Sequence, residues 1–285
     1  MPAKKELTEE QELAIINDNL ENYLSLNRIH QKYNISDKRI KQIFHKYGLN
    51  PIKNIHKGKY SFDTDFFKQD SEFLAYFLGW MCSDGFIQNN TNLIAIEIKQ
   101  SDGEILEEIK KSMNYDRPIS YFSREKGNGK FAKLTLENKY VKQLLINKYG
   151  IVPNKSSLID FCFKIENLSK IYWKDFIRGY FDGDGSIKKT KESLTFQIDS
   201  TSLKQIYSLK EKIEELVFDE FKEKISLSIS ISHKKGDKNS GFKHNYNIYR
   251  LYCYGKKAEK VFFILYNKSN IYLKRKYDRY KNYVK

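Results

Sequence analysis

Two stretches of the chain run almost unbroken in apolar residues, Phe73 to Cys82 and Phe176 to Phe181. Each carries one glycine, Gly79 or Gly179, and each closes in Asp-Gly five positions after it. A helix that is apolar on all sides is a buried helix. Glycine has no Cβ to hold two backbones apart, so two such helices can touch at these positions. The pattern predicts helices over Ser71 to Ser83 and Trp173 to Gly183, packed side by side. Each would be stopped by the glycine of Asp-Gly in the left-handed conformation. Asp84 and Asp184 then meet at one end of the pair. The result is a paired-carboxylate site built from an internal repeat.

The repeat continues beyond the two aspartates. Ile94, Ile96 and Ile98 recur 100 residues later as Leu194, Phe196 and Ile198, each set alternating like a half-buried strand. Leu145 to Lys148 answers Leu265 to Lys268 and Ile151 answers Ile271, now at an offset of 120. Two like subdomains follow, the second with an insertion. The first reads helix (to Ser83), strand (Phe86 to Gln88), strand (Leu93 to Lys99), helix (Asp102 to Met113), strands (Ile119 to Arg124, Lys130 to Leu136) and helix (Asn138 to Tyr149). Gly127-Asn128-Gly129 marks its hairpin. The second reads Trp173 to Gly183, Ser186 to Lys188, Ser193 to Asp199, Leu203 to Phe218, Ile225 to His233, Asn245 to Tyr254 and Lys256 to Asn267. In it Leu227, Ile229 and Ile231 alternate with serines, which predicts a ribbon with one apolar and one small polar face.

Ahead of the repeats, residues 8 to 48 read as three short helices. Thr8-Glu9-Glu10-Gln11 has capping-box spacing, the second helix spans Leu26 to Tyr33, and Ser36 caps a third that Gly48 ends. Leu26, Ile29, Ile35, Ile40 and Ile43 supply a shared core. The third helix exposes Lys38, Arg39, Lys41, Gln42, His45 and Lys46, the arrangement of a helix-turn-helix whose last helix enters a major groove. The expected organisation is a helix-turn-helix domain over 1–50, a basic linker over 51–70, and subdomains over 71–165 and 166–285. The fold class is α+β.

Charge adds a partner. A net charge of +15 and a pI near 9.4 favour a polyanion, nucleic acid before membrane, because no basic amphipathic run stands out. No apolar run is long enough to span a bilayer, and the charged N-terminus lacks a signal-peptide core. The expected location is the cytoplasm of a prokaryotic, phage or organellar host. Three scattered cysteines, with no Cys-x-x-Cys, suit a reducing compartment and argue against structural zinc. Each helix C-terminus carries about half a negative charge, and a carboxylate there adds a full one. Two such ends repel unless a divalent cation lies between them, and hard oxygen ligands together with phosphates suit Mg²⁺ or Mn²⁺.

Phe176-Ile177-Arg178-Gly179-Tyr180-Phe181-Asp182-Gly183-Asp184-Gly185, with Phe77 to Gly85 as a weaker copy, resembles the motif of the LAGLIDADG homing endonucleases in their single-chain, two-motif form. The resemblance covers about residues 70 to 285. The first motif departs in having Cys82-Ser83 where Asp-Ala is usual. The resemblance implies two αββαββα halves joined through the motif helices, with their sheets forming a DNA saddle. It implies a monomer that cuts both strands of a long, partly pseudosymmetric site across the minor groove. Asp84 and Asp184 would be the metal ligands, and Asp182, earlier on its helix, a support behind the ligands or a structural residue. A water-organising residue at the end of the second strand would be Gln100, with Lys99 beside it. In the second half Ser200 and Asp199 stand there instead. A phosphate-polarising lysine after the closing helix would be Lys155, matched by Arg275, with Lys274 and Lys276 beside it; Arg275 and Lys276 join the catalytic candidates. Further candidates for DNA contact on strands and hairpins are Arg124, Lys126, Lys130, Lys188, Gln197, Lys234, Lys235 and Lys238.

The reading is therefore a site-specific, metal-dependent double-strand DNA endonuclease. A non-cleaving DNA or RNA binder on the same fold, a maturase or a regulator, is the alternative. A recombinase would need a nucleophilic Tyr or Ser, and none stands in a recognisable basic cluster. No intein splicing signature marks either end.

Overall fold

In the computed structural model, the residues described are 7–20, 24, 26–51, 60–124, 129–189, 193–236 and 245–284. Lys126, Lys238, the Gly127-Asn128 hairpin signal and residues 52–59 of the expected linker lie outside them. The chain forms two units, one of residues 1–61 with 138–141 and one of residues 62–137 with 142–285.

The smaller unit holds α1 (Glu9–Leu20), α2 (Leu26–Tyr33) and α3 (Asp37–Lys46). Its core contains the five expected residues together with Ile15, Ile16 and Phe44.

The duplication occupies the larger unit, apart from residues 138–141 at the start of the first repeat's closing helix. The first repeat comprises α4 (Glu72–Cys82), β1 (Gly85–Ile87), β2 (Leu93–Lys99), α5 (Glu104–Ser112), β3 (Ser120–Ser123), β4 (Lys130–Glu137) and α6 (Lys139–Asn147). The second comprises α7 (Trp173–Asp184), β5 (Gly185–Lys189), β6 (Leu194–Ser200), α8 (Leu203–Phe221), β7 (Ser228–His233), β8 (Ile248–Tyr254) and α9 (Lys256–Tyr266). Each repeat folds one four-stranded antiparallel sheet, in the order β1-β2-β4-β3 and β5-β6-β8-β7. The identical strand order makes the second repeat a copy of the first.

Alternation works as the pattern requires. Ile94, Ile96, Ile98, Leu134, Leu136, Leu194, Phe196, Ile198 and Leu251 turn inward and are buried. The opposite faces carry Glu97, Lys99 and Lys133 in one sheet, and Lys188, Gln197, Asp199 and Arg250 in the other.

Four expectations are corrected. Residues 62–70 are not linker: Phe67 is buried, Phe62 and Phe67 pack edge-on, and Asp63 N donates to Met113 O at 2.9 Å. A further helix, α10 (Lys274–Val284), follows the second repeat; its mean hydropathy is low and the charge run hid it. The apolar face of the β7 ribbon is not packed along its whole length: Leu227 is buried, while Ile231 on the same face is 48% exposed.

The fourth correction concerns register. Gly85, Phe86 and Ile87 pair with Ile96, Ala95 and Ile94, whereas Gly185, Ser186 and Ile187 pair with Ile198, Gln197 and Phe196. Measured from the aspartate-bearing helices, the second strand is thus offset by 102 residues, not 100. The β5–β6 hairpin is two residues longer. Asp199 becomes the counterpart of Glu97, and both sit opposite a cation on the neighbouring strand, Arg250 and Lys133. The counterpart of Gln100 is Ser202, not Ser200.

Candidate functional site

The centre of the larger unit is the contact of α4 with α7. A Cβ at Gly79 would lie 2.3 Å from Phe176 O and 2.5 Å from Tyr180 N, and one at Gly179 would lie 2.2 Å from Tyr76 O. These are backbone atoms, so only glycine permits the approach. Around the contact, Ala75, Tyr76, Leu78, Phe176, Ile177 and Tyr180 are buried.

The crossing brings the two helix ends together. A Cβ at Gly183 would lie 3.2 Å from the Asp84 carboxylate and 2.0 Å from Ser83 Oγ, so the Asp84 side chain lies against the backbone that leads into Asp184. Gly85 and Gly185 do not take the expected left-handed conformation; Gly185 is extended at φ −80°. What excludes a side chain there is proximity to the preceding turn, with Met81 Cα 2.5 Å from a Gly85 Cβ and Phe181 O 2.5 Å from a Gly185 Cβ.

Both aspartates are exposed to solvent, yet the protein packed around their carboxylates desolvates them and raises both above the ordinary aspartate range. Asp184 is pushed up to about 7, by burial first and by the charge of Asp84 second. Two lysines oppose the effect. Lys155 Nζ donates to Ser83 O at 2.9 Å and Gly85 O at 2.6 Å, on the α4 end. Lys276 Nζ donates to Phe181 O at 2.5 Å, Asp182 O at 2.9 Å and Gly185 O at 2.6 Å, on the α7 end. Each cation neutralises the negative end of a helix dipole and fixes the backbone beside an aspartate. Burial lowers both lysines, Lys276 to about 8.

These contacts correct the expected match between Lys155 and Arg275. One extra residue after Ile271 shifts the register, and Lys276 takes the equivalent place. Arg275 instead reaches Asp102 through Nε, at 2.8 and 3.0 Å, where the first and second repeats meet. Lys274 pairs with Asp278 on its own helix. With three protons on Nζ, Lys276 has spent its donors on carbonyl oxygens, so its role lies in the helix end rather than on a phosphate.

Asp182 faces away from the pair into a buried network. It accepts from Tyr76 Oη at 2.7 Å, Tyr266 Oη at 3.0 Å and Leu273 N at 2.8 Å. Beside it the fully buried Arg178 bonds to Asp175, Glu72 and the carbonyls of Leu265 and Ile271. This clamp ties α4, α7 and the α9–α10 connection together. Sequence inspection missed it, since its only signal was one charged residue inside an apolar motif.

Gln100 is exposed and opens the short turn that leads to α5. Its counterpart Ser202 is buried as the cap of α8, donating to Phe161 O and accepting from Gln205 N. Ser200 Oγ accepts from Ser202 N at 3.2 Å. No exposed amide or amine therefore stands at this position in the second repeat.

Among the other candidates, Lys99, Lys130, Lys188, Lys234 and Lys235 are exposed. Arg124 pairs with Glu97 and lies over the Phe131 ring at 4.6 Å, and Gln197 donates to Asp199 at 3.3 Å. Arg39 and Lys46 are held by Glu12.

Among the described residues no cluster of three or more His, Cys, Asp or Glu is arranged to hold a metal ion. The Asp84–Asp184 pair still suits a hard divalent cation. Both groups are oxygen donors, their mutual repulsion is relieved by a positive charge, and the remaining ligand positions fall to water and phosphate oxygens. No helix among the described residues is long and apolar enough to cross a membrane.

The elevated Asp184 makes a stability prediction. A carboxyl whose folded pKa is raised contributes stability that is present below its unfolded value of 3.8 and is lost as pH rises through about 7. Metal-free protein should therefore lose stability from this group between about pH 4 and 7. Asp184→Asn should remove that slope, so the variant's thermal midpoint should rise relative to wild type as pH goes from 5 to 7. Parallel midpoint curves in a chelator would show that Asp184 titrates normally.

Residues 174–263 match the model of the LAGLIDADG-like domain. No curated protein matches the sequence. Among solved structures, the chain is similar to the N-terminal LAGLIDADG domain of DUF199/WhiA, with 14% identity over 73% of this chain and 86% of that one and a TM-score of 0.44. It is similar to meganuclease I-SmaMI bound to uncleaveable DNA, with 14% identity over 75% and 90% and a TM-score of 0.46. It is also similar to the homing endonuclease I-WcaI bound to its DNA recognition sequence, with 18% identity over 75% and 89% and a TM-score of 0.44. The second repeat of this chain carries a LAGLIDADG-like domain, and the first repeat is built on the same architecture, strand for strand.

Proposed function

We propose that the chain is a site-specific, divalent-metal-dependent endonuclease that hydrolyses both strands of a long duplex DNA site as a monomer. The observation that carries this reading is the meeting of Asp84 and Asp184 at the ends of two helices packed backbone to backbone. A pair placed there by glycine contacts, with burial raising both pKa values, is a costly arrangement for a purely structural role. Exposed Lys99 and Lys188 lie on the outward faces of the two sheets and suit contact with phosphates.

Asp84 and Asp184 would hold the cation, which when bound lowers the pKa of water and stabilises the leaving 3′ oxygen. Lys155 and Lys276 fix the backbone on which these carboxylates stand. Gln100 can accept a proton-bearing water by hydrogen bond and orient it towards the phosphate of one strand. A non-cleaving binder on the same fold is the second reading. It is favoured by one observation, the commitment of Lys155 and Lys276 to backbone carbonyls.

Selection of cleaved sites from a randomised duplex library with Mg²⁺ decides between them. Recovery of one long, partly pseudosymmetric sequence supports the nuclease, whereas enrichment by binding with no cleavage supports the second reading.

The two strands are expected to be cut at unequal rates, because Gln100 is exposed while Ser202 is buried in a helix cap. Nicked plasmid should precede linear product, with the early nick on one strand. Gln100→Ala should slow the faster strand selectively, within the roughly 10²–10⁴-fold that positioned proton acceptors contribute. Labelling each strand in a single-turnover course checks this; equal rates unaffected by the change would leave Gln100 without a role.

A further inference from the structure

The third helix of the smaller unit divides its polar residues into two sets. Ile40, Ile43 and Phe44 turn into the core. Arg39 and Lys46 belong to the scaffold. The carboxylate of Glu12, only 4% exposed on α1, accepts from Lys46 Nζ at 2.6 Å, Tyr47 Oη at 3.3 Å and Arg39 at 3.4 Å. The bond from Lys46 leads in holding Glu12 below its usual range. The turn into α3 is fixed as well. Asn34 adopts φ 52°, His30 Nδ1 lies 2.7 Å from Ile35 O, and Ser36 Oγ accepts from Arg39 N at 3.2 Å.

Lys38, Lys41, Gln42 and His45 remain. Their spacing of three, four and seven places them in one stripe, and all four are exposed around one shallow depression. Among the described residues none of the four enters an ion pair. Lys38 and Lys41 are like charges one turn apart, which weakens a helix slightly in water and is relieved by a polyanion. An α-helix fits the major groove, where glutamine can pair with N6 and N7 of adenine and lysine with O6 and N7 of guanine. The stripe combines lysine, glutamine and histidine, and its one acidic neighbour is exposed Asp37 at the first turn of the helix.

We propose that the Lys38–Lys41–Gln42–His45 face of α3 is a second duplex-DNA site, which reads bases in a major groove and works without the carboxylate pair. Arg39 and Lys46 are positioning residues for this helix, not readers. The smaller unit thus contributes sequence selectivity of its own, separable from any cleavage.

The test uses the full chain in EDTA, so that cleavage plays no part, with a pool of random-sequence duplex DNA selected by binding. Wild type is expected to enrich a block of preferred bases that Gln42→Ala relaxes, with affinity for the wild-type consensus falling about 5- to 150-fold. Lys38→Ala with Lys41→Ala should weaken binding to all duplexes and reduce the salt slope by about 2. Because all positions are exposed, the thermal midpoint should not move; if it does, Lys38→Gln, Lys41→Gln and Gln42→Glu replace the alanines. Unchanged consensus, affinity and salt slope in folded variants would overturn the proposal. So would variants that lose binding to a random RNA pool while keeping duplex DNA. A chain that fails to cut in Mg²⁺ but keeps the Gln42-dependent block loses only the nuclease reading.

Discussion

Asp184→Asn is expected to lower DNA cleavage by about 10³-fold or more, while binding of duplex DNA in the absence of metal stays equal or tightens. The amide keeps the shape of the side chain but is a poor ligand for a hard cation. Loss of one of two protein ligands removes several kcal/mol of transition-state stabilisation, and each 1.36 kcal/mol is a factor of ten. The sign of the binding change follows from charge. The wild-type site sets two carboxylates against a polyanion, and the variant removes one. Asp84→Asn should behave alike, since its side chain lies against the backbone that leads into Asp184. Cleavage of a plasmid bearing the selected site, with affinity measured in EDTA, separates the outcomes. Wild-type cutting by either variant would remove that aspartate from the reaction.

The second large effect is mechanical. Gly179→Ala adds one methyl group, and that carbon would lie 2.2 Å from Tyr76 O, 3.0 Å from Tyr76 C and 3.1 Å from Tyr76 Cα. No side-chain rotation relieves a collision with backbone, so α4 and α7 must separate. The buried side chains flanking the contact then lose their packing together. Overpacking commonly costs about 1–3 kcal/mol, and the backbone collision places this variant at or above the top of that range. The midpoint should fall by about 5 °C or more. Gly79→Ala should do the same through Phe176 O and Tyr180 N. Gly103→Ala supplies the comparison. Its φ of −59° suits alanine, and its nearest neighbours, Gln100 O at 3.0 Å and Ala132 Cβ at 3.2 Å, need to give by only a few tenths of an ångström, so its midpoint should fall by less than that of either other variant. Thermal unfolding of the three variants settles the point. A wild-type midpoint for Gly179→Ala would mean the helices are not in backbone contact.

The parts of this fold legible in the chain were those with a strong local signature. Glycine within an apolar helix foretold the α4–α7 contact, and Asp-Gly five residues on foretold which carboxylates meet. Alternation found the buried faces of β2 and β6. On the β7 ribbon it marked an apolar face that is buried at Leu227 but leaves Ile231 48% exposed. The glycines after Asp84 and Asp184 were foreseen for the wrong reason. A sequence does not distinguish a glycine required by φ from one required by a neighbour, and here Met81 and Phe181 decide.

Helix α10 and the partnering of its first residues were not legible. Lys274, Arg275 and Lys276 are consecutive basic residues with one composition and three fates: an ion pair within the helix, an ion pair to Asp102, and burial on the α7 carbonyls. A helix turns its residues by about 100° each, so one residue of insertion sends each side chain to a different neighbour.

The chain by itself determined the two repeats, the helix pair, the carboxylates at its end and the basic stripe of α3. Tertiary structure alone decided the register between the repeats. Side chains on a strand repeat every two residues, so a shift of two leaves every buried position buried and every outward position outward. The alternation of Leu194, Phe196 and Ile198 therefore fits an offset of 100 or 102 equally well. Only hydrogen bonding of Gly185 to Ile198, against Gly85 to Ile96, selects 102. That choice matches Asp199 to Glu97 and sets Ser202, buried in its helix cap, where the first repeat holds Gln100.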